Sequence, residues 1–248
     1  MGFQTVDRNA YPPRHWVLRG YANIGKSTFL MAMRQPLLMI DADGRAAEIA
    51  RRGAEVLLIS KEARDHHTPS AILQIVRRED LSAIGTVCVD SLTSIIQPSV
   101  GLGLANNRAN LVKNKASSWI DKANDMRLIQ SALKETGKDF VVIWHYEDGR
   151  DKNGNPAQNQ TLPLTEQKRI KQSLNAVIDI GRHRNGLRYA KIAWSRVGLS
   201  GIVIDDTEGY WAGVPERIEQ ALYDSVPVAA TMHPATDTDP AVFHPEAL

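Results

Sequence analysis

Apolar and polar residues alternate in blocks along the first 145 residues of the chain. Short runs rich in Val, Ile and Leu are typical of buried strands, and the longer amphipathic stretches between them are typical of helices that join parallel strands. This alternation predicts an α/β fold with a mostly parallel twisted sheet flanked by helices. The predicted strands are residues 16–19, 37–41, 55–59, 86–90 and 140–145.

A long helix is predicted between the last two of these strands. Apolar side chains recur there at the spacing of one helix face, which we interpret as core packing. Ser117 precedes them as a candidate N-cap, and Gly137 ends the helix. The apolar face consists of Trp119, Ala123, Met126, Ile129 and Leu133.

The pattern changes after His145. Residues 147–163 are rich in Asp, Asn, Gly and Gln and nearly free of apolar residues, which predicts a long mobile loop. Further on, Asn185-Gly186 stands between two apolar stretches, a strong signal for a β-hairpin. The remaining predicted elements are strands at 176–182, 187–194 and 201–204 and a short helix at 215–223.

The composition is that of a folded protein. The 248 residues are 43% hydrophobic and 23% charged, which excludes a disordered or fibrous chain, and no apolar run is long enough to cross a bilayer. The first residues lack the pattern of a secretory signal, and Cys88, the single cysteine, cannot form an internal disulfide. We therefore expect a protein of the reducing cytoplasm.

The small net charge of +2 hides a difference between the two parts of the chain. Five of the 28 acids and none of the 30 Lys and Arg residues lie at 218–248, so residues 1–217 carry +7 and the remainder carries −5. We expect a folded core at 1–217 and a flexible, acidic, Pro-punctuated tail at 218–248. A basic core suggests a polyanionic partner, and an ordinary solvated surface is the alternative.

The sharpest chemical signal is the segment from Gly20 to Ser27, which matches the P-loop pattern and lies between a predicted strand and a predicted helix. In such a loop the backbone N–H groups surround phosphates, and the helix N-terminus adds positive potential. Lys26 would reach the terminal phosphates, and the Ser27 hydroxyl would bind Mg²⁺. The predicted nucleotide-binding residues are Gly20, Tyr21, Ala22, Asn23, Ile24, Gly25, Lys26, Ser27 and Thr28.

Two further strand ends carry carboxylates. Asp90 ends the apolar strand 86–90, where a second magnesium ligand is needed beside Ser27. Asp41 and Asp43 lie at the end of strand 37–41 and just after it, and hydrolysis needs a group that orients or deprotonates water near the γ-phosphate. Asp43 is our candidate for that group, whereas Asp41 has a second interpretation as a structural or helix-capping residue.

Together these motifs resemble the RecA family of recombinases, in particular its core-only relatives encoded by phages. Segment 40–43, Ile-Asp-Ala-Asp, is similar to the family's Ile-Asp-Ala-Glu motif, and segment 88–91, Cys-Val-Asp-Ser, is similar to its magnesium-binding Val-Val-Asp-Ser motif. The resemblance covers roughly residues 10–213 and implies a RecA-like P-loop NTPase core with a C-terminal β-hairpin extension. Asp43 departs from the family's Glu by one methylene, which implies slow turnover or nucleotide binding with little hydrolysis.

The resemblance also implies the positions of further catalytic residues. In the family, the strand after the magnesium-binding one ends in a polar sensor of the γ-phosphate, and His145 takes that place; a structural role is its alternative. The second hairpin strand presents a base to a neighbouring subunit's nucleotide, which makes Arg196 a candidate finger in trans, with a basic solvent face as the alternative. The implied catalytic residues are Lys26, Asp43, His145 and Arg196, and the implied metal ligands are Ser27 and Asp90.

Two loops of the RecA family bind single-stranded DNA. Residues 97–115 occupy the place of the first, with Gly101 and Gly103 for flexibility, and the loop from Glu147 occupies the place of the second. Residues 182–196 add five Lys and Arg residues and no acid, which favours a polyanionic ligand. The implied DNA contacts are Arg108, Lys113, Lys115, Arg150 and Lys152.

We therefore expect an ATP- and Mg²⁺-dependent ATPase that binds single-stranded DNA and acts in recombination or strand annealing. The resemblance implies a homo-oligomer, filament or ring, with nucleotide at subunit interfaces, a single-strand-binding protein as a further partner, and the cytoplasm of a bacterial or phage-infected cell. One alternative is a hexameric helicase-type motor. Another is a nucleotide-gated regulatory module without a DNA role, favoured by the scarcity of aromatic residues in the two loops.

Overall fold

The chain folds around one twisted β-sheet. The structure, a computed structural model, describes residues 10–58, 68–109, 119–150, 156–160 and 164–224. The strands are β1 (His15–Gly20), β2 (Leu37–Asp41), β3 (Val56–Leu58), β4 (Thr86–Asp90), β5 (Asp139–Arg150), β6 (Pro156–Gln160), β7 (Ala176–Arg182), β8 (Arg188–Ser195) and β9 (Val203–Asp205).

Helices cover both faces of this sheet. Within the described parts of the chain, none of them is both long and apolar enough to cross a membrane. A 3₁₀ turn at Leu30–Ala32 follows the first helix directly. The helices are α1 (Lys26–Phe29), α2 (Ala46–Arg51), α3 (Pro69–Arg78), α4 (Leu92–Arg108), α5 (Ile120–Glu135), α6 (Leu164–Lys171) and α7 (Val214–Tyr223).

The strand order fixes where the site can form. The order along the sheet is β3-β2-β4-β5-β1-β7-β8-β9, and the pairs from β3 to β7 are all parallel. The carboxyl ends of these strands therefore lie on one edge of the sheet, where α/β proteins bind ligands. Strands β8 and β9 continue the sheet in antiparallel fashion, and β6 pairs antiparallel with the far end of β5.

The central strands are buried on both faces, which explains their continuous apolar runs. Along β1, Val17 packs into one core cluster with α3, α4 and α5, while Trp16 and Leu18 pack into the other with α1 and α7. All three side chains are fully buried. Because alternate side chains point to opposite faces, β4 and β5 divide their residues between the same two clusters.

The predicted architecture is confirmed: a mixed α/β core with a mostly parallel sheet, flanking helices and the β7–β8 hairpin. The strands predicted before residue 146 are present within one residue of their expected bounds, apart from the continuation of β5 to Arg150. Gly137 after α5 and Gly186 in the hairpin turn have φ of 60° and 88°, as left-handed turn positions require. The predicted cap Ser117 lies outside the described residues.

The expectation of a flexible loop at residues 97–115 is wrong for its first part. Helix α4 continues through Pro98 and Gly101 and ends at Arg108, and residues 110–115 lie outside the described ranges. A buried face along this helix outweighs the low helix propensity of Pro and Gly. That face consists of Leu92, Ile95, Ile96, Ser99 and Gly103.

The predicted loop at 147–163 also contains regular structure. Residues 146–150 of β5 pair antiparallel with β6, from Tyr146 opposite Gln160 to Arg150 opposite Pro156. Residues 151–155 and 161–163 lie outside the described ranges. Backbone pairing defines this two-stranded ribbon, and a polar sequence without apolar alternation gives little signal for it.

The folded core extends further than the expected boundary at residue 217. Helix α7 runs to Tyr223 and buries Ile218, Glu219 and Leu222. Two acids that we assigned to the tail therefore belong to the core: Glu219, and Asp224, which accepts a hydrogen bond from Tyr11. Residues 225–248 lie outside the described ranges.

Candidate nucleotide and magnesium site

The P-loop connects the end of β1 to α1 and lines a cavity of about 260 Å³. Gly20 has no room for a side chain, because a Cβ there would lie 2.7 Å from the Ile180 carbonyl oxygen. Gly25 adopts φ 109°, and the Trp211 indole N–H donates to its carbonyl oxygen at 3.0 Å. The predicted nucleotide-binding residues that line the cavity are Ala22, Asn23, Gly25, Lys26, Ser27 and Thr28.

The Lys26 side chain is folded back onto its own loop. Its Nζ donates to the carbonyl oxygens of Gly20 and Tyr21 at 2.9 and 2.6 Å. The residue is only 4% exposed, and burial lowers the pKa of its ammonium group to about 8. A buried cation satisfied only by neutral carbonyl oxygens is a group that an anion in the cavity would stabilise.

Ser27 and Asp90, the two predicted magnesium ligands, are in direct contact. The Ser27 hydroxyl donates to Asp90 Oδ2 at 2.7 Å. Asp90 is 1% exposed; burial raises the pKa of its carboxyl group to about 6, and the nearby charge of Asp43 acts in the same direction. A hydroxyl and a buried carboxylate are hard oxygen ligands of the kind Mg²⁺ prefers, so the residues present fit this ion.

Backbone pairing holds Asp43 beside Asp90. Residue Asp41 pairs with Asp90 in the β2–β4 register, and the N–H groups of Ala42 and Asp43 donate to the Asp90 carbonyl oxygen at 2.7 and 3.1 Å. The ligand atoms of Asp43, Asp90 and His145 all lie within 4.8 Å of one another. Three strand ends thus converge on the cavity.

Asp43 accepts hydrogen bonds on both oxygens. Ser91 and Ser94 donate to Oδ1 at 3.2 and 2.5 Å, and His145 Nε2 lies 3.3 Å from Oδ2. Burial acts to raise the pKa of Asp43, but the hydrogen bonds from Ser94, Ser91 and His145 outweigh it, and the pKa is lowered overall. Burial and the charge of Lys26 lower the pKa of His145. An ionised carboxylate beside a neutral imidazole places the shared proton on Nε2.

Asp41 has the structural role that we kept as its alternative. Its Oδ1 accepts from the backbone N–H of Arg45 at 2.7 Å, and its Oδ2 accepts from that of Ala46 at 2.8 Å. These N–H groups belong to the first turn of α2, which has no partners for them within the helix. Asp41 therefore caps α2, whereas Asp43 lines the cavity.

Arg196 lies away from this cavity. Because β8 is antiparallel to β7, the end of β8 pairs with Ala176 at the start of β7, on the sheet edge opposite the P-loop. The Arg196 guanidinium donates to the carbonyl oxygens of Leu174 and Gln172 at 3.0 and 2.6 Å. Arg196 does not contact the nucleotide site of its own chain, and a role at a second copy's nucleotide stays a prediction.

The predicted DNA contacts are only partly described. Arg108 is exposed at the end of α4, and Arg150 is exposed at the end of β5. Lys113, Lys115 and Lys152 lie outside the described residues. The structure thus brings together the residues predicted to bind phosphate and magnesium, whose ligands stay a prediction, as does DNA contact.

Other residues at or beside the cavity were missed by sequence reasoning. Ser94 follows the Asp90-Ser91 motif by one helical turn, and that spacing is the signal that identifies it. Arg45 and Arg52 line the cavity from the two ends of α2, and Arg188 lines it from the start of β8. Arg188 belongs to the basic stretch 182–196, but the density of charge gave no means of choosing it over its neighbours.

The chain matches a known protein family. A family model described as an AAA domain matches residues 13–185. No curated protein matches the chain. Among solved structures, the chain is similar to the flagellar accessory protein FlaH from Methanocaldococcus jannaschii, with a TM-score of 0.44 and 14% identity over 78% of this chain and 85% of that chain.

Proposed function

This chain belongs to the AAA domain family, and from this premise we propose that it is a Mg²⁺-dependent ATPase whose nucleotide state controls binding to single-stranded DNA. One observation carries the ATPase assignment. The P-loop lysine, the Ser27–Asp90 pair and the Asp43–His145 pair line a single cavity at the carboxyl edge of the sheet. Each pair supplies a different requirement of phosphoryl transfer to water.

Ser27 and Asp90 would hold Mg²⁺, which when bound polarises the phosphate oxygens and neutralises their charge. Lys26 needs only side-chain rotation to exchange two backbone carbonyl oxygens for phosphate oxygens. Its burial makes that exchange favourable, since a charged partner replaces neutral ones in surroundings of low dielectric constant. The loop therefore selects polyphosphates over uncharged nucleosides.

Asp43 is the residue placed to orient the attacking water. Its carboxylate is ionised, lies beside Asp90 and is held in position by two hydroxyls and the His145 imidazole. Its lowered pKa makes it a weak base, so its role is positioning rather than early proton removal. The Nε2–H group of His145 can exchange its hydrogen bond to Asp43 for a hydrogen bond to a γ-phosphate oxygen.

The DNA-binding part of the proposal is supported by charge and by connectivity. Residues 182–196 contain five bases and no acid, and phosphate neutralisation gives an affinity that falls with salt. His145 is followed directly in β5 by the ribbon of residues 146–150 and β6, so a contact that moves His145 acts on the ribbon. We further propose assembly with copies of this chain as a filament or ring, recombination or strand annealing as the role, and a single-strand-binding protein as a partner.

A second candidate function is a nucleotide-gated regulatory module without a DNA role. The observation that favours it is the set of three donors on Asp43, which leaves its carboxylate with little capacity for water and predicts slow turnover. Under this function the bound triphosphate is the signal, and hydrolysis serves only to end it.

Two measurements test the proposed function. We expect Lys26→Ala to lose detectable binding of a fluorescent ATP analogue, while Lys191→Ala, which removes an exposed lysine, keeps wild-type affinity. Normal hydrolysis by Lys26→Ala would disprove the site. A salt titration of single-stranded DNA binding, with and without a non-hydrolysable ATP analogue, then separates the two candidates: a steep slope that depends on nucleotide supports the DNA role, and absence of binding supports the regulatory module.

A further inference from the structure

The start of β8 brings an arginine to the P-loop of the same chain. Strand β8 runs antiparallel to β7, so its first residue, Arg188, lies at the sheet edge that carries the site. The Arg188 side chain passes across Gly25: a Cβ added to that glycine would lie 3.4 Å from Arg188 Nε and 3.6 Å from its Cδ. Arg188 also lines the phosphate cavity itself.

Arg188 has no counter-charge within the described parts of the chain. The other arginines around the P-loop are engaged: Arg45 with Glu48 at 3.1 Å, Arg52 with Thr28 Oγ1 at 3.3 Å, and Arg19 with both carboxylate oxygens of Asp179. The Arg188 guanidinium, by contrast, makes no ion pair or side-chain hydrogen bond with any described residue. Asp206, whose backbone N–H donates to the Arg188 carbonyl oxygen at 2.9 Å, lines the adjoining cavity with it but forms no ion pair with the guanidinium. A half-buried cation without an ion-pair partner stabilises an anion that enters the cavity.

The strand order separates Arg188 from the hydrolytic residues. Asp43, Asp90 and His145 lie on β2, β4 and β5 or follow them, on one side of β1, whereas β7 and β8 lie on the other side. The γ-phosphate belongs with the carboxylates and the magnesium ligands. Arg188 would therefore face the phosphates nearer the nucleoside, and it also lines an adjoining cavity of about 550 Å³.

We propose that Arg188 binds the α- and β-phosphates of the nucleotide held by its own chain, and so sets nucleotide affinity without a neighbouring copy. This inference rests on the proposed function, because it concerns the same nucleotide. The guanidinium fork suits two phosphate oxygens at once, which a lysine cannot match. Arg196 lies at the opposite edge of the sheet and does not reach the nucleotide site of its own chain.

The test compares Arg188→Ala with Arg184→Ala, which removes an exposed arginine from the same hairpin turn. The probes are fluorescent derivatives of ADP and of a non-hydrolysable ATP analogue, with Mg²⁺. We expect Arg188→Ala to weaken both nucleotides alike, by about 10- to 100-fold, and Arg184→Ala to bind as wild type. At saturating ATP, kcat should stay within about 3-fold of wild type, because the contact is made equally in ground and transition states.

A mixing experiment distinguishes the same chain from a neighbour. Chains carrying Lys26→Ala keep Arg188 but do not bind nucleotide themselves. Added in excess to Arg188→Ala chains, they can supply Arg188 only to the nucleotide of a neighbouring copy. We expect them to leave the weak affinity of Arg188→Ala unchanged. Arg188→Lys, which keeps the charge and the packing of the stem, should lose less affinity than Arg188→Ala and guards against a folding defect, together with the circular dichroism of each variant.

The outcomes are separable. Wild-type affinity in Arg188→Ala, an equal loss in Arg184→Ala, or recovery of affinity on mixing would each overturn the role of Arg188 and leave the proposed function standing. Absence of nucleotide binding by the wild-type chain would overturn both. Loss of affinity for the ATP analogue alone, with ADP unaffected, would place Arg188 at the γ-phosphate and contradict the assignment to the α- and β-phosphates.

Discussion

Asp90 and Lys26 are buried ionisable groups whose pKa values have moved toward the neutral form, to about 6 and about 8. Near neutral pH both are charged in surroundings that favour neutral side chains. This arrangement destabilises the protein before a ligand arrives and favours binding when a cation and a polyphosphate enter together. The same burial that makes the pocket selective makes it costly to fold.

Replacing Asp90 with Asn should therefore stabilise the ligand-free protein at pH 7. The folded chain keeps Asp90 protonated up to pH about 6, whereas its ordinary value is 3.8, so its penalty is absent below pH 4, grows between pH 4 and 6 and is complete above that range. We expect Asp90→Asn to raise the free energy of unfolding by about 1–3 kcal/mol at pH 7. Urea denaturation with a chelator present should show the gain vanishing by pH 4.

The control for this prediction is Asp121→Asn, which neutralises an exposed acid in the first turn of α5. It should destabilise the protein slightly, by about 0.5 kcal/mol or less. A gain from Asp90→Asn that persists at pH 4, or an equal gain from Asp121→Asn, would show that burial of the Asp90 charge is not the cause. Mg²⁺ with an ATP analogue should stabilise the wild type and not Asp90→Asn.

Ser94 is hydrogen-bonded to Asp43, the carboxylate that we propose orients water. Its hydroxyl donates to Asp43 at 2.5 Å and is the foremost of the hydrogen bonds that lower the pKa of Asp43. Ser94→Ala removes this hydrogen bond and should raise the pKa of Asp43, so the acid limb of the kcat/KM profile should move to higher pH. The control Ser82→Ala, on the loop before β4, should leave the pH profile unchanged. If the acid limb of Ser94→Ala does not move, Ser94 does not influence the pKa of Asp43.

Individual site residues were predictable from the sequence where a motif fixes backbone geometry. The P-loop, Asp43, Asp90 and His145 all follow buried strands, and parallel pairing then brings the strand ends together. Arg45 and Arg188 reach the cavity, and Ser94 reaches Asp43, from elements whose orientation depends on the completed sheet. No local pattern could distinguish Arg188 from Arg196, because the difference is which end of an antiparallel strand meets the P-loop.

Among the helices, α7 is attached to the sheet by buried charge. Glu219, 3% exposed, accepts from Arg14 at 2.7 Å and from Arg34 at 2.9 and 3.1 Å. Both arginines also approach Asp139 at the start of β5. This network lies at the sheet edge opposite the nucleotide site and joins the last helix to the first residues of two central strands.

Removing Glu219 should unfold the chain more readily because it leaves Arg14, 2% exposed, with weaker partners. We expect Glu219→Ala to lower the free energy of unfolding by about 3 kcal/mol. The control is Glu216→Ala, since the side chain of Glu216 is 51% exposed although it lies 3.0 Å from Arg14; its loss should be below about 1 kcal/mol. Urea denaturation measures both, and equal losses would contradict the role of burial.

Strands and helices were predicted correctly where the pattern of apolar residues reflects burial, and they were missed where it does not. The strands β1, β2 and β4 are buried on both faces, so their apolar runs were unambiguous. Helix α4 was obscured by Pro98, Gly101 and Gly103, and its buried face carries Ser99 as well as apolar residues. The sequences of the two ribbon strands, 146–150 and 156–160, do not alternate between apolar and polar residues, so they gave no signal for the ribbon.

At the scale of the whole molecule, the two edges of the sheet differ in the surroundings of their charged side chains. At the carboxyl edge charged side chains line a cavity, whereas at the opposite edge the Glu219 network pairs buried acids with arginines. The hairpin β7–β8 spans both, with Arg188 at one end and Arg196 at the other. Sequence reasoning found the hairpin and its basic character, but the assignment of each base to an edge required the strand order.

The remaining acidic charge of the C-terminal end lies beyond Asp224. Of the five acids from residue 218 onward, Glu219 and Asp224 are held by the core. Residues 225–248 contain three more and no Lys or Arg. On the proposed DNA role, these acids compete with DNA phosphates for the basic surface, a competition that salt screens.

Deletion of residues 225–248 should therefore tighten single-stranded DNA binding by about 2- to 5-fold in low salt and leave it unchanged in high salt, where the Debye length is about 3 Å at 1 M. The deletion keeps Asp224 and its contact with Tyr11, so the core should stay intact. The full-length variant Asp237→Asn, Asp239→Asn, Glu246→Gln separates charge from chain length. If that variant binds like the wild type while the deletion binds more tightly, steric exclusion rather than charge explains the effect; if neither differs from the wild type, the tail does not face the DNA-binding surface.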